Sequence, residues 1–363
     1  MKRLVIIDGH AILYRAFHAL PITLTAPDGK PVNAVYGFIR MLLKTIQDLK
    51  PTHLIVCFDR PKPTFRKKIF KDYQIKRPKA PDDLIAQIGL VHQVVEVMGI
   101  PIYEKDGYEA DDVIGTLVKQ ARSKWDVRSA KWETDNLKFR SEKCDKDFSP
   151  QKPQEIKKST SKKSHLSHHT SRLETIIVTG DKDILQLVDE NTRVYMPVKG
   201  LSLSRLYGKK DVKERFGIES EQMVDYKALI GDPSDNYAGV KGIGPKTAAD
   251  LLGKFGSLEE IYKATKQSNN KLISKKVIEA LEKDKEQAEM AKKLAQIITN
   301  VPVKLNLDQA QLRSLDKLEV RELFEKLEFK SLIKKLSEKK TITQMTQKKD
   351  TENTEKREQL SLI

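Results

Sequence analysis

The sequence predicts an α/β fold: a central, mostly parallel sheet flanked by helices on both faces, with a largely helical region after it. Three observations carry this. Through the first 127 residues, short apolar runs alternate with stretches of helical spacing, and β-α alternation buries a parallel sheet between helical layers. The runs are apolar almost throughout, as in strands covered on both faces. From 217 to 336 the chain reads as largely helical.

Leu4–Ile7 is the first strand, and Asp8 ends it. Residues 35–49 place Val35, Phe38, Ile39, Leu42, Leu43 and Ile46 on one helical face. Leu54–Phe58 is a second strand, ended by Asp59. Residues 82–98 form an amphipathic helix with Asp82 near its start. Ile100–Tyr103 is a short strand, 109–122 a third helix, and Ile176–Thr179 a further strand.

Residues 128–172 break the pattern. They are rich in Ser, Lys, Thr and His and hold 12 Lys/Arg against 6 Asp/Glu. So few aliphatics cannot offset the entropy of ordering, so a disordered basic insertion is expected. It divides the core into 1–127 and 173–216. Its His165, His168 and His169 read as solvated linker residues. Residues 337–363 read as a flexible charged tail.

The chain has 363 residues, enough for one large domain or two small ones. Its net charge of +16 and pI of about 9.5 point to a polyanionic partner, nucleic acid above all. Cys57 and Cys144 make neither a disulfide framework nor a zinc site, which fits a reducing compartment. No apolar run approaches the roughly 20 residues that span a bilayer. Asp8 interrupts the opening run too early for a signal peptide. A cytoplasmic, monomeric protein is expected, with no membrane association.

Asp8, Asp59, and the pair Asp181 and Asp183 follow three different strands. In an open parallel sheet, ligands bind outside the carboxyl ends of the strands. One such Asp is ordinarily a turn or a helix cap; four at one rim are harder to explain that way. Glu109, Asp111 and Asp112 open the third helix, where the backbone dipole favours acids. Asp232 and Asp235 flank Pro233-Ser234, which alone reads as a turn. Nine carboxylates held together would repel and raise one another's pKa values unless cations intervene. Oxygen-only ligands suit Mg²⁺ or Mn²⁺, and two such ions promote in-line phosphodiester hydrolysis.

The stretch Gly239-Val240-Lys241-Gly242-Ile243-Gly244-Pro245-Lys246-Thr247-Ala248 joins helices expected at 221–230 and 245–253. Glycines allow a tight turn and close approach to a ligand, and Pro245 suits a first helical turn. Free N–H groups at a helix start hold phosphate, with Lys246 beside them. Gly239, Gly242, Ile243, Gly244, Lys246 and Thr247 are therefore DNA-binding candidates that grip backbone without reading sequence. Residues 60–79 hold nine Lys/Arg and one acid, interleaved with Phe65, Phe70 and Tyr73. That mixture suits a single-stranded end, with charge along the backbone and rings against bases.

Together, Asp8-Gly-His, Phe58-Asp59, Tyr108-Glu109-Ala110-Asp111-Asp112, Thr179-Gly-Asp181-Lys-Asp183, Gly231–Asn236 and the 239–248 hairpin resemble the bacterial 5′-nuclease family. That family includes flap endonucleases and the N-terminal domain of DNA polymerase I. The resemblance runs from residue 1 to about 300, interrupted by 128–172.

It implies a PIN-like 5′-nuclease fold with a helical arch at about 60–82 and a helix-hairpin-helix. The implied activity is removal of 5′ flaps and RNA primers from DNA in replication and repair. It implies that Asp8, Asp59, Glu109 and Asp111 hold a first metal. Asp181, Asp183 and Asp235 would hold a second, with Asp112 and Asp232 auxiliary. Arg15 matches a basic residue near the scissile phosphate, and Tyr73 and Arg77 match arch positions. Where members commonly have Tyr-Lys in the arch, this chain has Tyr73-Gln74, so Lys76 or Arg77 is expected to substitute. A K⁺ ion at the hairpin is implied too.

The chain ends Gln359-Leu360-Ser361-Leu362-Ile363, which looks like the peptide that docks bacterial proteins into the sliding clamp. Two alternatives compete: a non-catalytic junction binder, which loss of the acids would favour, and a single-strand ribonuclease, against which the duplex-gripping hairpin argues.

Overall fold

The computed structural model describes residues 2–124, 173–199, 203–267 and 272–336. Strand β1 (Lys2–Asp8) is the axis of the sheet. Leu4 and Ile6 enter one hydrophobic cluster, Val5 and Ile7 another. Alternate side chains of a strand point to opposite faces, so helices must cover both. Strands β2 (His53–Cys57) and β3 (Ile102–Tyr103) lie on one side of β1. Strands β4 (Leu173–Val178), β5 (Thr192–Lys199) and β6 (Leu203–Tyr207) lie on the other. The order is β3-β2-β1-β4-β5-β6, parallel except for β5 against β6. The chain moves outward from β1 to β3 and then resumes on the other flank at β4. Where strand order reverses in this way, a crevice opens at the carboxyl ends of the strands.

Helix α1 (Gly9–Ala19) begins where β1 ends, because Asp8 accepts the Ala11 N–H at 3.1 Å and caps it. Helices α2 (Asn33–Leu49) and α4 (Asp82–Val97) cover the face that Val5 and Ile7 enter. Helix α5 (110–124) covers the other through Val113, Ile114 and Leu117. Between β2 and α4 the chain forms helix α3 (Phe65–Ile69) and turns. The expected arch is thus helical over five residues only. Tyr73 is buried, and the Gln74 N–H donates to the Asp235 carbonyl at 2.9 Å, which ties the segment down onto the hairpin region.

Helices α6 (Lys209–Phe216) and α7 (Met223–Ile230) lead into a small hairpin, β7 (Gly231–Asp232) and β8 (Tyr237–Ala238). Helices α8 (Pro245–Phe255), α9 (Leu258–Thr265), α10 (Lys275–Lys283) and α11 (Lys285–Ala295) follow. After α11 the chain departs from the expected single helical region and returns to the sheet. Leu54 N donates to the Ala310 carbonyl at 2.8 Å and Leu312 N to the Thr52 carbonyl at 2.9 Å. Helices α12 (Leu318–Lys326) and α13 (330–336) then place Val320, Phe324, Phe329 and Leu332 in the cluster that α2 and α4 cover.

Strands β5 and β6 were not anticipated. Val194 and Met196 point inward with a period of two, but Pro197 within the strand masks the pattern. The insertion at 128–172 with its histidines, and the terminal peptide, lie outside the described residues.

Candidate metal centre

Two groups of carboxylates stand at the carboxyl rim. The first is Asp8, Asp59, Glu109 and Asp111. Asp8, at the end of β1, accepts the Thr179 hydroxyl from the end of β4 at 2.6 Å. Burial pushes its carboxyl up to about 7 against that hydrogen bond, and the Asp59 charge adds to the rise. Asp59 lies just beyond β2; its Oδ1 accepts the Ala110 N–H at the start of α5 at 2.7 Å. Its own N–H donates to His10 Nδ1 at 3.1 Å, which leaves the imidazole proton on Nε2. Burial, and then the charges of Asp181, Asp8, Asp59 and Glu109, hold Asp111 well above the ordinary carboxylate range. Burial also lifts Glu109 to about 7, although Arg66 opposes this.

The second group is Asp183, Asp232 and Asp235, whose ligand oxygens lie within 4.8 Å of one another. Asp183 opens a 3-10 turn after β4. Asp232 and Asp235 share the β7–β8 hairpin, where Asp232 Oδ1 accepts the Ser234 N–H at 2.8 Å and its hydroxyl at 2.6 Å. The Asp-Pro-Ser-Asp turn therefore sets two carboxylates side by side. Burial and then Asp181 lift Asp183 to about 6, against Lys227. Burial acts to raise Asp232, but Lys227 and Ser234 outweigh it and hold the group below its usual value. Asp235 is raised, by burial first. The Tyr73 hydroxyl lies 3.2 Å from Glu109 Oε2 and 3.1 Å from Asp235 Oδ2, so it links the two groups.

These donors fit hard divalent cations. They are carboxylate oxygens, and several are raised in pKa by burial and then by mutual repulsion, both of which a bound cation would offset. Asp111 is the one that feels Asp8, Asp59 and Asp181 together.

Beyond β8 the glycines divide their tasks. A Cβ on Gly239 would stand 2.3 Å from Gly231 N and Leu229 O, so close backbone packing demands glycine there. Gly242 has φ +87 and open space beside it, as a ligand-facing turn requires. Gly244 caps α8, with Pro245 in its first turn. The N–H groups of that turn have no intrahelical partner, and Lys246 is exposed beside them.

Two family models match the chain: the 5′-3′ exonuclease N-terminal resolvase-like domain over residues 3–136 and the 5′-3′ exonuclease C-terminal SAM fold over 218–318. The chain is 34% identical over 322 residues to the 5′-3′ exonuclease of Aquifex aeolicus (strain VF5), covering 89% of this chain and 91% of that protein. The chain belongs to the 5′-3′ exonuclease family. It is also 36% identical over 324 residues to DNA polymerase I of Bacillus subtilis (strain 168), covering 89% of this chain. The match covers 31% of that polymerase, so the chain spans about a third of the polymerase relatives it matches. A bacteriophage T5 5′-exonuclease structure with bound zinc is similar in fold, with TM-score 0.58 at 16% identity over 89% of this chain and 99% of the other. A bacteriophage T5 flap endonuclease solved with DNA and metal ions gives TM-score 0.57 at 16% identity over 90% of this chain and all of the other.

Within this exonuclease fold, several sequence-predicted residues sit elsewhere than implied. Asp112 is fully buried, and its oxygens take Arg66 at 2.7 and 2.9 Å, Ile298 N at 2.8 Å and Glu109 N at 3.2 Å. Its acceptor capacity is used, so it anchors Arg66 instead of ligating as an auxiliary. Asp232 is in the compact group and Asp181 is not; the Asp181 carboxylate accepts the Asp183 N–H at 2.8 Å. The Tyr73 ring is 2% exposed and cannot stack on a base. The large hydrophobic side chains that this segment does expose are Ile69 and Ile75. Lys76 is exposed, Arg77 pairs with Asp235 at 3.0 Å, and Arg15 is partly buried on α1. Ile243 belongs to the core, and Gly239 is buried; Gly242, Gly244, Lys246 and Thr247 remain at the surface.

Sequence reasoning missed Lys227 and the buried role of Arg66, and quoted Thr179 and His10 within motifs without giving them a role. Arg66 also donates to the carbonyls of Leu294 at 2.9 Å and Gln296 at 2.8 Å, joining α3 to the end of α11. In the sequence it was one of nine basic residues and nothing set it apart.

Proposed function

We propose that this chain is a divalent-metal-dependent 5′-3′ exonuclease and 5′-flap endonuclease acting on DNA and on RNA primers paired to DNA. The observation that carries the reading is the pair of carboxylate groups at the sheet's switch point, linked by Tyr73. Asp8, Asp59, Glu109 and Asp111 would hold one Mg²⁺ or Mn²⁺ ion and Asp183, Asp232 and Asp235 another, with Asp181 beside both. Such ions, when bound, supply an activated water and neutralise charge on the reacting phosphate. The chain positions the substrate. The hairpin at Gly242–Thr247 offers backbone N–H groups and Lys246 to a duplex phosphate, and a K⁺ ion held by hairpin carbonyls would add charge there. The exposed lysines 67, 68, 71, 76 and 79 draw a 5′ end across the rim.

The protein acts as a monomer in this reading. Gln359, Leu360, Leu362 and Ile363 form a docking peptide for the bacterial sliding clamp, a tether that raises local concentration. No helix among the described residues is long and apolar enough to cross a membrane, in keeping with a cytoplasmic enzyme. The deciding experiment incubates a labelled 5′-flap duplex with Mg²⁺ and the protein, beside Asp181→Ala. Absence of metal-dependent cleavage by the wild type overturns the assignment. Deleting residues 359–363 should abolish clamp binding and spare cleavage of naked flaps; unchanged clamp affinity removes the tether from the proposal.

A further inference from the structure

The compact carboxylate group already holds cations of the chain's own. Lys227 Nζ, on α7, lies 2.6 Å from Asp183 Oδ1 and also pairs with Asp232 Oδ2. Arg77 Nη2 lies 3.0 Å from Asp235 Oδ1, which Gln74 Nε2 approaches to 3.2 Å. Each of the three carboxylates therefore has a basic partner. In the first group, Glu109 faces Arg66 at 3.4 Å, a guanidinium that Asp112 already holds, and the strand-end acids are arranged differently. Asp8 takes neutral donors, the Ala11 N–H and the Thr179 hydroxyl. Asp59 Oδ2 stands 3.4 Å from His10 Nδ1, which accepts the Asp59 N–H and so brings no cation to that carboxylate.

Neither cation comes from the sheet. Lys227 sits on the helix that leads into the β7–β8 hairpin and the duplex-gripping loop. Arg77 belongs to the basic segment that would meet a 5′ end. A divalent ion ligated by Asp183, Asp232 and Asp235 competes with both sets of pairs for the same carboxylates. Lys227 is 16% exposed, so on release it loses a partner in a place where water replaces that partner poorly. A substrate phosphate at the rim offers the released cations a new anion.

We infer that Lys227 and Arg77 are resident counter-cations of the compact group, displaced by the second divalent ion and then paired with the substrate phosphate. This rests on the proposed nuclease reading. It makes the second ion and the substrate mutually dependent: each improves binding of the other by the same factor, as linkage requires. Without DNA the second position binds weakly, and the complete two-ion centre assembles on the substrate. Both residues position charge, and neither needs to take part in bond breaking. Gln74 fits the scheme: where a lysine would bring a second cation to Asp235, the amide holds the carboxylate without adding charge.

The test is Mn²⁺ binding to the full chain without DNA, followed by electron paramagnetic resonance of the free ion, with cleavage of a 5′ flap measured in parallel. Wild type should bind one Mn²⁺ tightly and a second weakly. Lys227→Met and Arg77→Gln should each tighten the second by about tenfold, since a competing unit charge is gone. Lys227→Arg keeps the competitor and should keep the weak second position. Lys334→Met, on α13 and exposed, removes an equal charge from a helix that contributes no carboxylate to either group and should change nothing.

Second-ion affinity unchanged or weakened in both Lys227→Met and Arg77→Gln overturns the inference, as does equal tightening in Lys334→Met. Should Lys227→Met fail to fold, Arg77→Gln decides by itself, because that side chain is 51% exposed. A wild type that binds no Mn²⁺ and cleaves no flap overturns the nuclease reading. Normal cleavage with an indifferent second position overturns only the counter-cation role.

Discussion

Asp8→Asn should stabilise the metal-free protein at high pH and leave it nearly unchanged near pH ~5. Burial carries the Asp8 carboxyl from its ordinary 3.8 to about 7. A native pKa above the unfolded value means that the native state holds more protons, so stability falls as pH rises. The penalty is absent below about 4, grows between about 4 and 7, and is complete above that. At about 1.36 kcal/mol per pH unit it reaches about 4 kcal/mol near pH ~8 and about 1.6 kcal/mol near pH ~5. Asn removes the charge but cannot accept both the Ala11 N–H and the Thr179 hydroxyl, a loss of about 2 kcal/mol. The balance is a gain of about 2 kcal/mol near pH ~8 and about zero near pH ~5, or about 4 °C in Tm at the higher pH. Thermal unfolding followed by circular dichroism in EDTA at both pH values measures it. A variant less stable than wild type near pH ~8, or a difference independent of pH, refutes the reasoning. Added Mg²⁺ should then reverse the order, because wild type gains binding energy that Asn forfeits.

Metal binding at about pH 6.5 should release protons, because Asp8 and Glu109, each near 7, and Asp183, near 6, must ionise to ligate. Calorimetry in two buffers of different ionisation enthalpy reads the release, which should shrink as pH rises through those values; none at the lower pH contradicts the shifts. Arg66→Ala leaves Asp112 charged, buried and unpaired, and should cost about 3–5 kcal/mol in denaturant titration; a loss below about 1 kcal/mol would mean that the pair is dispensable. Gly242→Ala should cost about 1 kcal/mol for its left-handed backbone, while Gly239→Ala, which meets backbone atoms at 2.3 Å, should cost several times more; equal losses would count against the division of tasks. Lys246→Ala should lower the salt dependence of duplex binding by about one counterion and leave Tm alone; an unchanged slope takes Lys246 off the phosphate.

The sheet was legible in the sequence because its strands are buried on both faces and so are written as uninterrupted apolar runs. The rim acids were legible because each stops such a run. Strands β5 and β6 were not, since a proline sits in one and Arg205 in the other, and a pattern of period two blurs at a sheet edge. Arg66, Tyr73 and Lys227 illustrate a deeper limit. A basic residue or aromatic in a polar segment reads as exposed, and only tertiary placement reveals that Arg66 is enclosed by Asp112 and two carbonyls. Lys227 occupies an unremarked position on a short helix. Its partners, Asp183 and Asp232, come from different parts of the chain, and no local spacing announces that meeting. Asp112 looked like its neighbour Asp111 for the same reason: adjacent residues at a helix start turn to different surroundings.

The return of residues 310–336 to the sheet bears on how the protein is made. Leu54 waits for the Ala310 carbonyl, and the α2–α4 cluster waits for Phe324, Phe329 and Leu332. During synthesis at roughly 5–20 residues per second, the first strands would leave the ribosome roughly 15–55 s before their last cover arrives. Until then a strongly apolar half-core is open to water and to other nascent chains. Completion late in translation makes the early strands natural clients for a chaperone that shields them, and any ribosome stall before the last helices would release an unfinished, sticky intermediate.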